Sequence, residues 1–199
     1  THLRFLCFLY ITPRPPKSTL FPYTTLFRSS TVEVTTEVRK FIENVIVKYN
    51  IKSISDAGCG DYTWMSLVNK HGASYIGYDI NDQMIKELNY ENVSFEVFDV
   101  TKDILPKKDL IICRDCLFHL TTDNGVQAIK NFKESGSKYL LSTTFDFIKK
   151  NVQLDKVSQS KQYGFRRINL QIVPYKLGEP LDRVYESDFD RYFCLWEIN

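Results

Sequence analysis

The sequence predicts a doubly wound α/β domain on a mostly parallel sheet. Short apolar runs alternate with helical stretches of about ten to fifteen residues, the pattern of repeated strand-helix-strand units. One run, Leu110 to Cys113, is apolar throughout, as in a strand covered on both faces. A glycine-rich turn, Asp56-Ala57-Gly58-Cys59-Gly60-Asp61, falls between the first strand and the helix expected after it.

The elements follow in order. Thr35 or Thr36 can cap a helix, and Val38, Phe41, Ile42, Val45, Ile46 and Tyr49 recur at spacings of three and four to give it one apolar face. Residues 51–57 read as a short strand ending at glycine. Residues 61–70 read as a helix closed by His71-Gly72, 73–79 as a second strand, and 81–89 as a second crossover helix. Residues 93–98 form a third strand and 110–113 a fourth. A helix capped at Thr121 or Thr122 then runs to about Glu134, and 139–144 is the next strand. From 145 to 169 the text is polar and aperiodic, a loop or loosely helical insertion of the length that often serves as a lid. Residues 192–198 read as a closing strand.

The first 29 residues stand apart. Thr19-Leu20-Phe21-Pro22-Tyr23-Thr24-Thr25-Leu26-Phe27-Arg28-Ser29 resembles the conceptual translation of a sequencing adapter, and the likeness extends back less perfectly to Arg14. The segment 1–29 is therefore expected to be foreign to the natural protein, with the domain spanning 30–199. Its apolar stretch, 3–11, is interrupted by Arg4 and far too short to span a bilayer, so no membrane segment is expected. Arg4, Arg14, Lys17 and Arg28 lie in this segment. Without them 22 basic residues face 24 acidic ones, and the net charge of +2 becomes −2. The mild basicity of the whole chain thus gives no support to nucleic-acid binding.

Five cysteines, Cys7, Cys59, Cys113, Cys116 and Cys194, are odd in number and irregular in spacing, unlike a secreted disulfide framework. Cys113 and Cys116 match a CxxC pattern, but no second pair completes a zinc site, and they read as buried thiols. Reduced thiols suit a cytoplasmic protein.

Three features fall at the carboxyl ends of the first three strands, where open α/β sheets bind ligands. In Asp56-x-Gly58-x-Gly60 the glycines let the backbone turn tightly and approach a ligand. Asp79, nineteen residues after Gly60, is placed to accept both hydroxyls of a ribose, or to cap the following helix. Asp99 can accept from an adenine amine while Val100 packs on the ring, or can cap its own loop. A dinucleotide fingerprint would bring a third glycine and a pyrophosphate here, but Thr63 occupies that position and Asp61 follows Gly60 directly. A carboxylate there repels a pyrophosphate and suits an ammonium. The electrostatics favour a cationic single-nucleoside cofactor.

Asp56-Ala57-Gly58-Cys59-Gly60-Asp61-Tyr62-x-Trp64, Tyr75-Ile76-Gly77-Tyr78-Asp79-Ile80 and Asp109-Leu110-Ile111-Ile112-Cys113-Arg114-Asp115 resemble class I S-adenosylmethionine (SAM)-dependent methyltransferases. The likeness is greatest to a bacterial small-domain subgroup with a Cys-Arg-Asp-x-Leu-x-His segment, matched by Cys113 to His119. It covers about residues 32–199, and Tyr62 stands where the family has a third glycine. The resemblance implies a Rossmann-like, seven-stranded sheet with an antiparallel last strand. It implies SAM as cofactor, held by Asp56, Gly58, Cys59, Gly60, Asp61, Trp64, Asp79, Ile80, Asp99 and Val100.

Methyl transfer is an in-line displacement that needs positioning above all, and a base only where the nucleophile must lose a proton. Asp115 and His119, four apart, share a face if they lie on a helical turn, and a carboxylate orienting an imidazole makes a plausible base. Packing beside Leu120 is the plain alternative for His119. Arg114, Phe118, Thr144 and Arg166 are the candidate substrate residues, with Thr143, Phe145 and Asn169 beside them; Arg114 could equally pair with Asp115. The expected acceptor is a small molecule such as a sugar, lipid precursor or metabolite. An RNA or protein methyltransferase dependent on a partner subunit, or a catalytically silent SAM-binding protein, are the competing readings.

Overall fold

The computed structural model describes residues 28–152 and 165–199. Most of the segment read as foreign, and the middle of the expected lid, lie outside the described residues.

Seven strands form one sheet: β1 (Ser53–Ala57), β2 (Ser74–Asp79), β3 (Ser94–Val97), β4 (Leu110–Cys113), β5 (Tyr139–Thr144), β6 (Asp182–Glu186) and β7 (Arg191–Glu197). Their order is β3-β2-β1-β4-β5-β7-β6. The first five run parallel, and β7 is antiparallel to both its neighbours. The order reverses between β1 and β4, which opens a crevice at their carboxyl ends. The doubly wound sheet with an antiparallel last strand is as expected.

The helices are α1 (Thr36–Lys48), α2 (Asp82–Glu87) and α3 (Thr122–Glu134). Val38, Phe41, Ile42, Val45 and Ile46 of α1 are buried, the face that the sequence periodicity drew. They pack with Leu110, Ile112, Leu141 and Phe193. Ala128, Ile129 and Phe132 of α3 cover the other face, against Ile111, Cys113, Leu140 and Trp196. Adjacent residues of β4 therefore feed two different cores, which is why all four are apolar. Thr121 caps α3 by accepting from the Asn124 amide, and Asn81 caps α2 by accepting from that of Met84. Cys59, Cys113, Cys116 and Cys194 are buried free thiols; Cys7 lies outside the described residues. Among the described residues, no helix is long and apolar enough to cross a membrane.

Two elements depart from expectation. The helix expected over 61–70 is only a 3-10 turn, Met65–Leu67. Gly60 and Tyr62 both adopt left-handed backbone, which no helix can pass through, and the Lys70 ammonium donates to the carbonyls of Met65 and Val68 in place of helical amides. β6 has no counterpart among the expected strands. It is an edge strand whose side chains are mostly half-buried or exposed, so it carries little apolar signal.

Candidate active site

At the end of β1 the chain turns through Gly58, Cys59 and Gly60. The amides of Gly58 and Cys59 both donate to the Tyr78 carbonyl, at 2.7 and 3.0 Å. That shared acceptor ties the loop to β2 and spares Asp79. Gly58 and Gly60 have φ of +92° and +59°, values that a side chain rarely tolerates. A Cβ on Gly60 would meet nothing within 4 Å, so the loop presents bare backbone to open space. Tyr62, in place of the third glycine, holds φ of +61°. Its ring packs against Tyr75, Tyr90 and Phe95 at 4.8 to 5.3 Å, and this burial offsets the strained backbone.

Asp79 closes the loop. Its carboxylate accepts from the Gly60 amide at 3.2 Å and from the Asn81 amide at 3.0 Å. Burial raises its pKa despite these bonds. Asp56 is 2% exposed and accepts from the Tyr75 hydroxyl at 2.7 Å. Burial pushes its carboxyl up to about 7, against the Tyr75 hydrogen bond and with the help of the nearby Asp79 charge. Burial also pushes the Cys59 thiol up, so it stays protonated. Asp61 is exposed and accepts from the Thr63 amide, and Ile80 is half-buried after β2.

Asp99 has its loop-capping role in this structure. It accepts from the amide and hydroxyl of Thr101 and from the Lys102 ammonium. Burial acts to raise its pKa, but these partners hold it below the ordinary carboxylate value. Val100 is buried, and its carbonyl accepts from Asn131 of α3.

The other half of the crevice is built from side chains. Arg114 leaves β4 with its side chain 2% exposed, its Nη2 2.6 Å from a Glu186 carboxylate oxygen. Its guanidinium lies over the Trp64 ring at 5.2 Å, reaching across to the cofactor-side loop. Arg191 opens β7 and donates to both oxygens of Glu186 and to Asp115, the last at 2.9 Å. Asp115 sits in left-handed backbone at φ +56°, and its carboxylate accepts from the Thr143 hydroxyl at 3.0 Å. Burial opposes ionisation of Asp115, but Arg114 and Arg191 overcome it and hold the pKa low. Two buried cations and two buried anions thus neutralise one another at the ends of β4, β5, β6 and β7.

Several sequence expectations change here. Asp115 and His119 do not share a helical face: only Leu117–His119 turns, in 3-10 form, and Asp115 lies before it in left-handed backbone. The Asp115 carboxylate faces Arg114, Arg191 and Thr143, whereas the half-buried His119 ring packs beside Phe118 and Phe165 at 4.6 and 6.3 Å. Thr144 does not face the cleft. It is fully buried and its hydroxyl accepts from the Leu170 amide, because alternate residues of β5 point to opposite faces and Thr143 has the inner position. Asn169 holds the loop itself, donating to the carbonyls of Asp146 and Ile148. Arg166 donates its amide to the Phe118 carbonyl and its Nη2 to the Tyr175 hydroxyl. Phe118, Phe145 and Phe165 meet as one aromatic corner. Glu186 and Arg191 were not anticipated. Isolated charges flanking an edge strand carry no motif, and only their burial marks them.

A doubly wound sheet with a bare glycine loop and an acidic residue at adjacent strand ends defines a nucleoside-binding α/β protein. Residues 55–136 match the family described as Methyltransferase domain. The matched stretch runs from the glycine loop to the end of α3, and over it the chain is similar to a methyltransferase domain. Solved structures share the fold. Magnesium protoporphyrin IX methyltransferase from Synechocystis PCC 6803, with bound SAH, superposes with a TM-score of 0.60 at 16% identity, covering 83% of each chain. A SAM-dependent methyltransferase from Clostridium acetobutylicum ATCC 824 gives 0.61 at 16% identity, over 88% of this chain and 95% of that one. No curated protein sequence matches the chain.

Proposed function

We propose that this protein methylates a small-molecule acceptor, with residues 30–199 as the catalytic unit. The carrying observation is the size and place of the cleft beside Arg191. It is an open cleft of about 360 Å³ at the carboxyl edge of the sheet, within the range of small-ligand sites. The magnesium protoporphyrin IX methyltransferase of similar fold supports the same acceptor class by analogy.

SAM supplies an electrophilic methyl group on a sulfonium. In this reading the Gly58–Gly60 backbone leaves room for the nucleoside and Asp79 accepts the ribose hydroxyls, since each of its oxygens uses a lone pair on one backbone amide. Asp56 and Asp61 provide negative charge for the methionine ammonium. Cys59, Trp64 and Ile80 shape the pocket. Asp99 and Val100 border the adenine, with Val100 the contact and Asp99 the loop cap. On the acceptor side the charge cluster fixes the ends of β4 and β7 so that Phe118 can wall the cleft, and Arg166 ties the lid to it. Arg114 has two buried N–H groups, on Nε and Nη1, without a hydrogen-bond partner. Asp115, whose pKa Arg114 and Arg191 hold low, is a weak base, which assigns any proton acceptance to His119.

The test is methyl transfer from labelled SAM into small-molecule, RNA and protein fractions of a cell extract, with the full chain. Label in the small-molecule fraction supports the proposal. Label confined to RNA or protein, or no transfer by a chain that binds SAM, overturns it.

A further inference from the structure

We infer that the acceptor site takes a planar aromatic ring carrying a hydroxyl or amino group. The inference rests on the small-molecule reading above and narrows it. The cleft is lined by Phe145, Phe165 and Phe189, with Arg167, Arg191 and the β6–β7 hairpin residues Ser187, Asp188 and Asp190 among them. Every apolar side chain lining it is a phenylalanine. An alkyl chain is ordinarily met by branched aliphatic residues, which pack round a flexible ligand from many directions. Rings leave flat slots instead.

The geometry of the corner sharpens this. Phe145 and Phe165 are 6.0 Å apart at 82°, and Phe118 meets Phe165 at 5.1 Å and 72°. Three nearly perpendicular rings present a face and two edges together, so a flat guest can stack on one ring while its edge meets another. Phe165 is 50% exposed although its partner Phe145 is 1% exposed. One aromatic surface is thus left open on an otherwise buried cluster. On the far wall the Arg191 guanidinium is layered on Phe189 at 4.6 Å and lies 5.8 Å from the Phe118 ring, continuing the flat lining. Its Nε and Nη2 are already spent on Glu186 and Asp115, so it stacks rather than pairs with an anion. Of the hairpin's other polar groups, the Asp188 carboxylate and the second oxygen of Asp190, whose first oxygen accepts from the Tyr185 hydroxyl, can accept hydrogen bonds, with the Ser187 hydroxyl beside them. They call for a donor on the guest, a phenolic hydroxyl or an amine.

The test uses the full chain with saturating S-adenosylhomocysteine, whose own binding is measured first by calorimetry. Ligand-observed NMR then compares 2-naphthol with decahydro-2-naphthol, which has the same skeleton but is not flat. We expect 2-naphthol to bind at least about tenfold more tightly, a difference that 1.4 kcal/mol provides. Phe165→Leu should erase the preference, and Phe165→Trp should keep it, with S-adenosylhomocysteine affinity unchanged in both. Equal binding of the two alcohols, or a preference unaffected by Phe165→Leu, overturns the inference. If S-adenosylhomocysteine itself does not bind, the methyltransferase reading fails first.

Discussion

The two halves of the crevice are made from different materials. On the β1–β2 side the working surface is backbone, a loop whose amides bond the Tyr78 carbonyl and Asp79 and whose Gly60 leaves space above it. On the β4–β7 side it is side chains, with Arg114 and Glu186 separated by 72 residues and Asp115 and Arg191 by 76. A backbone site can hold one conserved kind of ligand, because every such loop offers similar amides. A side-chain site can be rebuilt one residue at a time. The same chemistry can therefore be kept on one side while the acceptor changes on the other. The two halves should consequently fail differently when altered.

The largest effect belongs to Glu186→Ala. Glu186 is buried between the guanidinium groups of Arg114 and Arg191. Removing it leaves the two buried cations sharing Asp115 alone, one positive charge in excess, a loss of about 3–5 kcal/mol for a broken buried pair. Urea unfolding measures it. A loss under about 1 kcal/mol would mean that the cluster is solvated and the contrast between the halves false.

Asp56 should give the next largest effect, and through pH. Its folded pKa, about 7, lies above the ordinary 3.8. The folded state therefore holds a proton that the unfolded state has lost, and stability falls as pH rises from about 4 to about 7. Between pH 5 and pH 8 the loss is roughly 2–3 kcal/mol, at about 1.4 kcal/mol per unit. Asp56→Asn should remove that share of the slope, seen as a smaller difference between urea midpoints at the two pH values. An unchanged slope would show that Asp56 is ionised in the fold. The wild-type chain should also release protons on binding SAM at pH 7, as the ammonium draws the carboxyl back towards ionisation. Calorimetry in buffers of different ionisation enthalpy measures that release.

How much of this was legible follows the same division. The glycine loop and Asp79 lie in two short segments with fixed spacing, and β4 and α1 announce themselves by unbroken apolarity and by a three-and-four period. The failures are local or long-range. Residues 61–70 have the composition of a helix, and only the left-handed backbone at Gly60 and Tyr62 forbids it. Thr144 and Thr143 are indistinguishable until strand alternation is fixed by the neighbours. Asp115 and His119 have helical spacing but no helix. Glu186 and Arg191 are ordinary surface-type residues in the sequence, and β6 is an edge strand with only Val184 and Tyr185 among three charged residues. Pairing across more than seventy residues leaves no mark within either segment.

Asp79→Asn probes the backbone half. Its carboxylate is bonded only by main-chain amides, and burial works against its charge. The neutral amide keeps one acceptor oxygen, loses the second backbone hydrogen bond and relieves that burial, so the two effects largely offset and stability should fall by no more than about 1 kcal/mol. Affinity for SAM should fall about tenfold to a hundredfold, since hydrogen bonds to a charged group contribute about 1.5–3 kcal/mol. Calorimetry reads it. A stability loss as large as that of Glu186→Ala would erase the distinction between the two halves.

The smallest effect is expected from starting the chain at Ser30. Residues 1–29 carry the adapter-like text, yet Ser29 lies in the turn Arg28–Ser30 and its hydroxyl donates to Asp115. That carboxylate is already bonded by Arg191 and Thr143 and paired with Arg114, so one neutral donor adds at most about 1 kcal/mol. Water can replace it at the half-buried position. Affinity for SAM should remain within about twofold, under about 0.5 kcal/mol, because nothing on the backbone side depends on Ser29. Calorimetry on the two chains decides. A tenfold loss would make the segment part of the working domain. It would also mean that the acceptor half reaches the cofactor through Asp115, and the two halves would have to be treated as one site.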